Sequence, residues 1–450
     1  MNVATLLKQY ERIGVVGLGL TGLSCARFLL QHDITPVLFD TRQQAPQAFQ
    51  SDSSLNQCET YLGELQLEEL LGLDMAIVSP GVPVSLDALK MAADAGVELI
   101  SDIELFGRLV DVPVIAVTGS NGKSTVVSMC GHILESCGRN PGVGGNIGIP
   151  ALELLHKGYD CIVLELSSFQ LELTSSLRLA AATVLNVTPD HLDRYPSETA
   201  YALAKNRIYR HADMCIYNRE DKQTQPTRQR RLQHQVSFGL AASDQGFGVE
   251  EQNNESWICF TGQPLLAVKD LPVEGDYNQL NAQAALALVS ALGVDIEQAA
   301  LAVPKFQSLA HRCQLVVEHN GVRWINDSKA TNTGAAIAAI TGLRPKVPGK
   351  LILIAGGDAK GADLGVMKSA LEQVDLLITL GRDGRYLAAL KPGALQVNDM
   401  QQAVNAAYQA AADGSLVLLS PACASLDMFS GFAERGEVFA AAAEACYARD

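Results

Sequence analysis

Val114-Ile115-Ala116-Val117-Thr118-Gly119-Ser120-Asn121-Gly122-Lys123-Ser124-Thr125 decides how this chain is read. An apolar, β-branched run leads into a glycine loop. Val126, Val127, Cys130, Ile133, Leu134 and Cys137 then recur at helical spacing, with Gly138 where a helix C-cap falls. Strand, glycine loop, Lys-Ser and helix make a phosphate cradle. Glycines let backbone N–H groups approach phosphate oxygens, the helix N-terminus adds positive potential, Lys123 reaches the terminal phosphates and a hydroxyl suits Mg²⁺. The loop is shorter than the usual eight-residue pattern, since Val117 and not Gly stands five positions before Gly122. A ligand-free strand-to-helix turn is the competing reading, and the complete context favours an ATP site.

Around this centre the composition sets limits. A chain of 450 residues exceeds one core and suggests two to four domains. A formal net charge of −15 argues against a nucleic-acid surface, which needs a basic face. An anionic substrate must therefore be held by local Lys, Arg, Mg²⁺ and backbone donors. The ten cysteines include no C-x-x-C pair, which points to neither a zinc site nor a disulfide framework and suits a reducing compartment. Lys8, Glu11 and Arg12 precede the first apolar run, unlike a signal peptide, and no apolar stretch reaches membrane-spanning length. A cytoplasmic protein, with no membrane or nucleic-acid partner, is expected.

Upstream, Ile13-Gly14-Val15-Val16 runs into Gly17-Leu18-Gly19-Leu20-Thr21-Gly22 and an apolar helix, and a second strand, Val37-Leu38-Phe39, ends at Asp40. This is a dinucleotide-binding fingerprint with its acidic ribose partner, although the same turn serves mononucleotides and other phosphate ligands. Met75–Val78 ends at Ser79-Pro80-Gly81, a strand C-terminus where ligands of open α/β sheets gather. The stretches 41–60 and 218–235 read as polar loops. Downstream of the cradle, strands are expected at 161–164, 183–186 and 215–217, and an Ala/Leu-rich helix from Asn281 to Leu292. Further strands are expected at 351–354, 376–379 and 416–419, with a helix over 400–412. The expected fold is α/β in three domains: a Rossmann-like domain over 1–101, a P-loop ATPase-like domain over 102–308 and a Rossmann-like α/β domain over 309–450.

Phosphoryl transfer needs metal ligands beside the cradle. Glu165 ends the strand at 161–164, and the next strand runs into Asp190-His191-Leu192-Asp193. Glu165 suits Mg²⁺; His191 is balanced between a structural residue and a metal or substrate contact. Asn326-Asp327-Ser328-Lys329-Ala330-Thr331-Asn332, Gly356-Gly357-Asp358-Ala359-Lys360 and Ser420–Ser425 follow three strand ends and mark one ligand-binding rim. Spacing alone leaves Lys205 a surface lysine on an amphipathic helix.

Taken together, these residues resemble the Mur ligases, the ATP-dependent amino-acid ligases of peptidoglycan precursor synthesis, and among them the members that add D-glutamate. The resemblance covers essentially the whole chain. It rests on Gly17–Gly22, Ser79–Gly81, Thr118–Ser124, Gly144-Gly145-Asn146-Ile147-Gly148, Glu165–Glu172, Asp190–Tyr195, His311-Arg312, Asn326–Asn332 and Ser420–Asp427. The shortened P-loop is the form this family uses. The resemblance implies that ATP phosphorylates the L-alanyl carboxylate of UDP-N-acetylmuramoyl-L-alanine and that the amine of D-glutamate attacks the acyl phosphate.

It also implies roles. Leu20, Thr21, Asp40, Thr41, Arg42, Ser79 and Gly81 hold the uridine and diphosphate; Asn146 and His191 touch the muramoyl part. Gly119, Asn121, Gly122, Lys123, Ser124 and Thr125 hold ATP phosphates, with Asn278, Asn281, Arg312 and Asp327 completing the nucleotide site. Ser124, Glu165, His191 and a carbamylated Lys205 serve two Mg²⁺ ions. Lys329, Thr331, Lys360, Ser425 and Phe432 frame D-glutamate, and Lys123, His191, Lys205 and Lys329 form the catalytic set. A monomer is expected. The alternatives are another ligase of the same superfamily, such as a folylpolyglutamate synthase, and a nicotinamide-dependent dehydrogenase.

Overall fold

Short apolar runs bounded by glycine become central parallel strands because both faces of such a strand are covered by helices. In a computed structural model, which describes residues 3–191, 194–227, 234–272, 275–307 and 309–447, they build three separate sheets. The first is all parallel, in the spatial order Thr60–Leu62, Val37–Asp40, Ile13–Val16, Met75–Val78, Glu98–Ile100. The order in which strands are added reverses between Ile13–Val16 and Met75–Val78, which run parallel, so the crevice beyond their C-terminal ends lies between the Gly17 turn and Ser79.

The central sheet, also parallel, has six strands in the order His234–Phe238, Ala212–Asn218, Leu179–Val184, Val114–Thr118, Cys161–Glu165, Pro141–Gly145. The cradle strand Val114–Thr118 is buried throughout and lies between the strand ending in Glu165 and the one leading toward His191. The third sheet orders Gln314–His319, Val322–Asn326, Leu416–Leu419, Leu351–Gly356, Leu376–Leu380, Leu395–Gln396, with only the first pair antiparallel.

The sheets are joined in two different ways. One apolar cluster runs from Leu7, Val15 and Ile77 through Ile103 and Phe106 to Ala116, Leu164 and Cys215, so the first and central sheets share a core. The helix Asp102–Leu109 carries that continuity, capped by Ser101, whose Oγ accepts from the Glu104 N–H at 3.0 Å. The third sheet has its own clusters, around Leu353 and Leu418 on one face and Trp324 and Phe439 on the other.

Several expectations are corrected. The strand expected at 183–186 is Leu179–Val184. Asn186 has left the ladder, and its side chain bonds the Asn121 backbone instead, accepting from the N–H at 2.9 Å and donating to the carbonyl at 3.1 Å. The helix expected from Asn281 begins at Asp276, after Gly275 at φ +112°; the one over 400–412 ends at Ala410. The 218–235 stretch is not loop throughout: it opens at the end of one strand and closes inside another, His234–Phe238, while residues 228–233 lie outside the described set. The 41–60 stretch includes a short helix, Gln47–Gln50, and a 3₁₀ turn, Ser53–Gln57. Other features were not anticipated. Pro141–Gly145 is an edge strand despite its glycines, and at Gly142 a Cβ would collide with the Tyr159 ring. An antiparallel meander, Phe247–Gln252, Glu255–Phe260 and Gln263–Ala267, follows the central sheet.

Candidate active site

The glycine loop closes on itself around its lysine. Gly122, at φ +84°, lets the chain turn into the helix Lys123–Ser136, and a Cβ there would lie 2.5 Å from Asn281 Oδ1. Lys123 Nζ donates to the carbonyls of Gly119 and Ser120, both at 2.8 Å. Ser120 Oγ donates to the Thr188 carbonyl at 3.0 Å and accepts from the Thr188 N–H at 2.9 Å. Ser124 is buried in the first turn of the helix, with Thr125 next to it. Burial lowers the Lys123 ammonium, while the carboxylates of Glu165 and Asp190 pull it back up.

Beside the loop lies a buried carboxylate only half satisfied. Glu165 pairs with Val117 across the ladder and is 3% exposed. Its Oε1 accepts from Asn146 Nδ2 at 2.8 Å, while Oε2 is buried without a hydrogen-bond partner. A bare carboxylate oxygen next to a phosphate cradle is the kind of donor Mg²⁺ uses. Among the described residues no three His, Cys, Asp or Glu side chains form a ready cage. The protein donors available are therefore few, which suits an ion that keeps several waters.

Lys205 is not a surface residue. It is 1% exposed, its Nζ donates to the Gly119 carbonyl at 2.9 Å and lies 4.2 Å from the centre of the Tyr201 ring. Burial pushes its amine well below the ordinary value, and the nearby Lys123 charge adds to that. The helix Glu198–Asn206 turns this lysine inward under the loop, a placement that amphipathic spacing did not reveal. His191, at φ +55°, has its ring edge-on to Phe169 at 4.9 Å, and its Nε2 is 3.8 Å from Asp190 Oδ2. Asp193 lies outside the described residues.

The third sheet brings its rim onto this centre. Asp190 Oδ1 accepts from Lys360 Nζ at 2.7 Å, and Oδ2 accepts from Asn332 Nδ2 at 3.2 Å. Burial pushes the Asp190 carboxyl up, but Lys360, His191 and Asn332 together hold it below its ordinary value. Asn332 Nδ2 also donates to Asn121 Oδ1 at 3.0 Å, and Asn332 caps the helix Thr333–Leu343 through the Ala335 N–H. Lys329 Nζ lies 3.8 Å over the Phe432 ring, and burial, helped by Arg312, lowers it to about 8. Asp327 accepts from Ser420 Oγ at 2.9 Å and from the Cys313 N–H at 3.2 Å; burial raises it to about 6. Arg312 is lowered by burial and attracted by Glu165 and Asp327, which puts all three in one electrostatic neighbourhood. Thr331 follows Lys329, its N–H on the Lys329 carbonyl, and Ser425 is buried on the neighbouring loop. On the far side of the P-loop, Asn281 is buried against Gly122, and Asn278 lies one turn earlier on the same helix.

The first sheet contributes the outer end. Gly22 packs against the Gly17 carbonyl so closely that any Cβ would collide with it, and Ser79 Oγ donates to that carbonyl at 2.7 Å. Leu20 is 81% exposed at the mouth; Thr41 and Gly81 are also exposed, and Thr21 is half-buried. Asp40, expected to accept from a ribose or base, also has partners within the protein. Its carboxylate already takes the Leu18 N–H at 2.7 Å, the Arg42 N–H at 2.9 Å and the Arg42 guanidinium at 2.8 and 2.6 Å. These bonds tie Asp40 to the Gly17 turn and to Arg42. Asn186, Asn332, Thr188 and Arg194 are polar residues of the site that sequence reasoning gave no role; only their position after strand ends hinted at it.

Three family models match in order: the Mur ligase MurD-like N-terminal domain over 11–101, the Mur ligase middle domain over 117–289 and the Mur ligase glutamate ligase domain over 311–423. UDP-N-acetylmuramoylalanine--D-glutamate ligase of Salmonella typhimurium is 47% identical over 434 residues, covering 96% of this chain and 97% of the relative. The Escherichia coli K12 enzyme of the same name is 46% identical over 435 residues, covering 96% and 98%. Among solved structures, MurF ligase from Thermotoga maritima in complex with ADP covers 99% of this chain and 100% of its own, at 17% identity and TM-score 0.61. UDP-N-acetylmuramate-alanine ligase MurC from Thermotoga maritima gives TM-score 0.61 at 19% identity, covering 97% and 99%. These two similarities concern the fold.

Proposed function

The chain belongs to the Mur ligase family, and on that premise we propose that it joins D-glutamate to UDP-N-acetylmuramoyl-L-alanine at the expense of ATP, in cytoplasmic peptidoglycan precursor synthesis. A carboxylate is a poor electrophile. Transfer of the ATP γ-phosphoryl group to the L-alanyl carboxylate makes an acyl phosphate; the D-glutamate amine attacks its carbonyl carbon, and phosphate leaves as the amide forms. Such an intermediate hydrolyses in water, so the reaction needs a closed centre. The observation that carries this reading is that all three domains contribute to one region: the phosphate cradle and bare Glu165 oxygen from the second, Lys360 of the third paired with Asp190, and from the first the Pro80–Val82 turn, held by Arg194 near His191.

In this reading Lys123, Ser124, Thr125 and the backbone of Gly119, Asn121 and Gly122 hold the ATP phosphates. Asn278, Asn281, Arg312 and Asp327 complete the nucleotide site. Ser124, Glu165, His191 and Lys205 are the donors for two Mg²⁺ ions, which when bound spread charge on the transferring phosphoryl oxygens. Lys205 suits that set only as a carbamate, and its buried, weakly basic amine is the form that reacts with CO₂. Leu20, Thr21, Asp40, Thr41, Arg42, Ser79 and Gly81 hold the uridine diphosphate, with Asp40 also binding Arg42; Asn146 and His191 meet the muramoyl part. Thr331, Lys360, Ser425 and Phe432, with Lys329, receive D-glutamate, whose two carboxylates need paired charges to enter a dry site.

The test is ADP release with ATP, UDP-N-acetylmuramoyl-L-alanine and, in turn, D-glutamate, D-glutamine, L-lysine and meso-diaminopimelate. Turnover is expected with D-glutamate and little with D-glutamine. A higher specificity constant for L-lysine or meso-diaminopimelate would place the chain with a different ligase of the family.

A further inference from the structure

Near His191, on the same Phe169 ring, lies the guanidinium of Arg194. The N–H groups of Arg194 and Tyr195 both donate to the His191 carbonyl, at 2.9 and 3.0 Å, so the backbones of these residues are tied together. Arg194 reaches out of the central domain into the first. Its Nη1 donates to the Pro80 carbonyl at 3.2 Å and its Nη2 to the Val82 carbonyl at 3.1 Å. Those carbonyls belong to the turn whose Ser79 Oγ holds the Gly17 carbonyl, and the Val82 side chain packs against Gly17 itself. Behind the guanidinium, Phe169 lies 4.4 Å from Arg194 Cζ, stacks on Tyr195 at 5.8 Å and meets the His191 ring at 4.9 Å. Glu172 Oε2, 3.9 Å away, keeps the charge compensated.

We propose that Arg194 is a positioning residue that sets the distance between the diphosphate turn of the first domain and the His191 side of the reaction centre. It thereby acts on a substrate that must reach both ends at once. This rests on the function proposed above. A planar guanidinium with two parallel donors suits the task, because it fixes two carbonyls while its face lies on an aromatic ring. It needs no contact with the substrate. Loss of the fork leaves each half-site intact and alters their relative placement, and a shift of about 1 Å in such a distance costs on the order of a hundredfold in productive alignment.

The experiment measures binding of UDP and of UDP-N-acetylmuramoyl-L-alanine by calorimetry, and ligation kinetics, for the wild-type protein, Arg194→Ala and Arg194→Lys. Affinity for UDP, which occupies one end only, is expected to stay within about twofold. Affinity for the full substrate is expected to fall by about tenfold or more, with KM for ATP unchanged. Lysine keeps the charge over Phe169 but cannot fork between two carbonyls, so Arg194→Lys falls between the two. Equal losses for UDP and the full substrate would overturn the proposal, since Arg194 would then hold the nucleotide pocket itself. No loss for either, or full restoration by lysine, would overturn it too. A wild-type protein that binds the UDP-sugar but ligates another amino acid would remove the D-glutamate assignment and leave the Arg194 result standing.

Discussion

Lys123 and Lys205 both bond the Gly119 carbonyl, at 2.8 and 2.9 Å, and so two amines share one oxygen beneath the phosphate loop. Two ammonium groups cannot both stay charged there at low cost, and the structure assigns the lower basicity to the more enclosed one, Lys205. Lys123→Ala is expected to fold, checked by circular dichroism, and to lose about 10²–10³ in turnover, the usual cost of removing one contact to a developing charge. A folded variant with more than about a tenth of wild-type turnover would contradict the cradle assignment. Lys205→Ala is expected to be nearly inactive and partly restored by acetate or formate, which supplies an oxygen ligand in place of the proposed carbamate. An active Lys205→Ala enzyme would reduce this residue to packing.

The helix Asp102–Leu109 shows how an element can be held by one carboxylate. Glu104 accepts from the Ser175 and Ser176 N–H groups at 2.7 and 2.9 Å, from Ser176 Oγ at 2.6 Å and from Arg108 Nε at 3.0 Å. Burial pushes its carboxyl up, but these donors outweigh it and bring it from 4.5 down to about 2. A depressed carboxyl contributes its stability fully above the unfolded value near 4.5, and loses it as pH falls from there toward 2. The contribution is on the order of 3 kcal/mol. Glu104→Gln is expected to lower Tm at neutral pH and to flatten the fall of stability across that acid window, measured by urea melts at several pH values. An unchanged acid limb would show that other carboxylates govern it.

At the scale of the molecule, the first and central domains share apolar core, whereas the third meets the P-loop through Asn332–Asn121, Asn332–Asp190 and Lys360–Asp190. Polar joints of this kind separate with little loss of buried apolar surface, which suits the opening and closing that the proposed acyl phosphate would require. Asn332→Ser keeps a helix cap but cannot reach Asn121 or Asp190. It is expected to leave Tm nearly unchanged and to raise the ratio of ADP released to amide formed above one, as water reaches the intermediate. A ratio that stays at one would mean that this contact plays no part in closure. Lys360→Ala is expected to weaken D-glutamate by about 2–5 kcal/mol with little effect on ATP, read from the two KM values.

Local order carried much of this protein. The glycine loops, the apolar strands and the polar clusters at their ends are short-range patterns, and Val114–Thr125, Ile13–Gly22 and Asn326–Asn332 were legible because a backbone that must approach phosphate or end a buried strand restricts its own residues. Helix periodicity, by contrast, is silent about what packs against a face. Lys205 reads as exposed on its helix and is buried because the P-loop of a distant strand lies over it. The same holds for Asp40, whose oxygens are filled by Leu18 and Arg42 once the turn folds back. It holds for Arg194, which finds its carbonyls 112 and 114 positions away in another domain. Burial and partnership across such separations arise only when the sheets are assembled, because the free energy of a charged group depends on what removes its water and what replaces it.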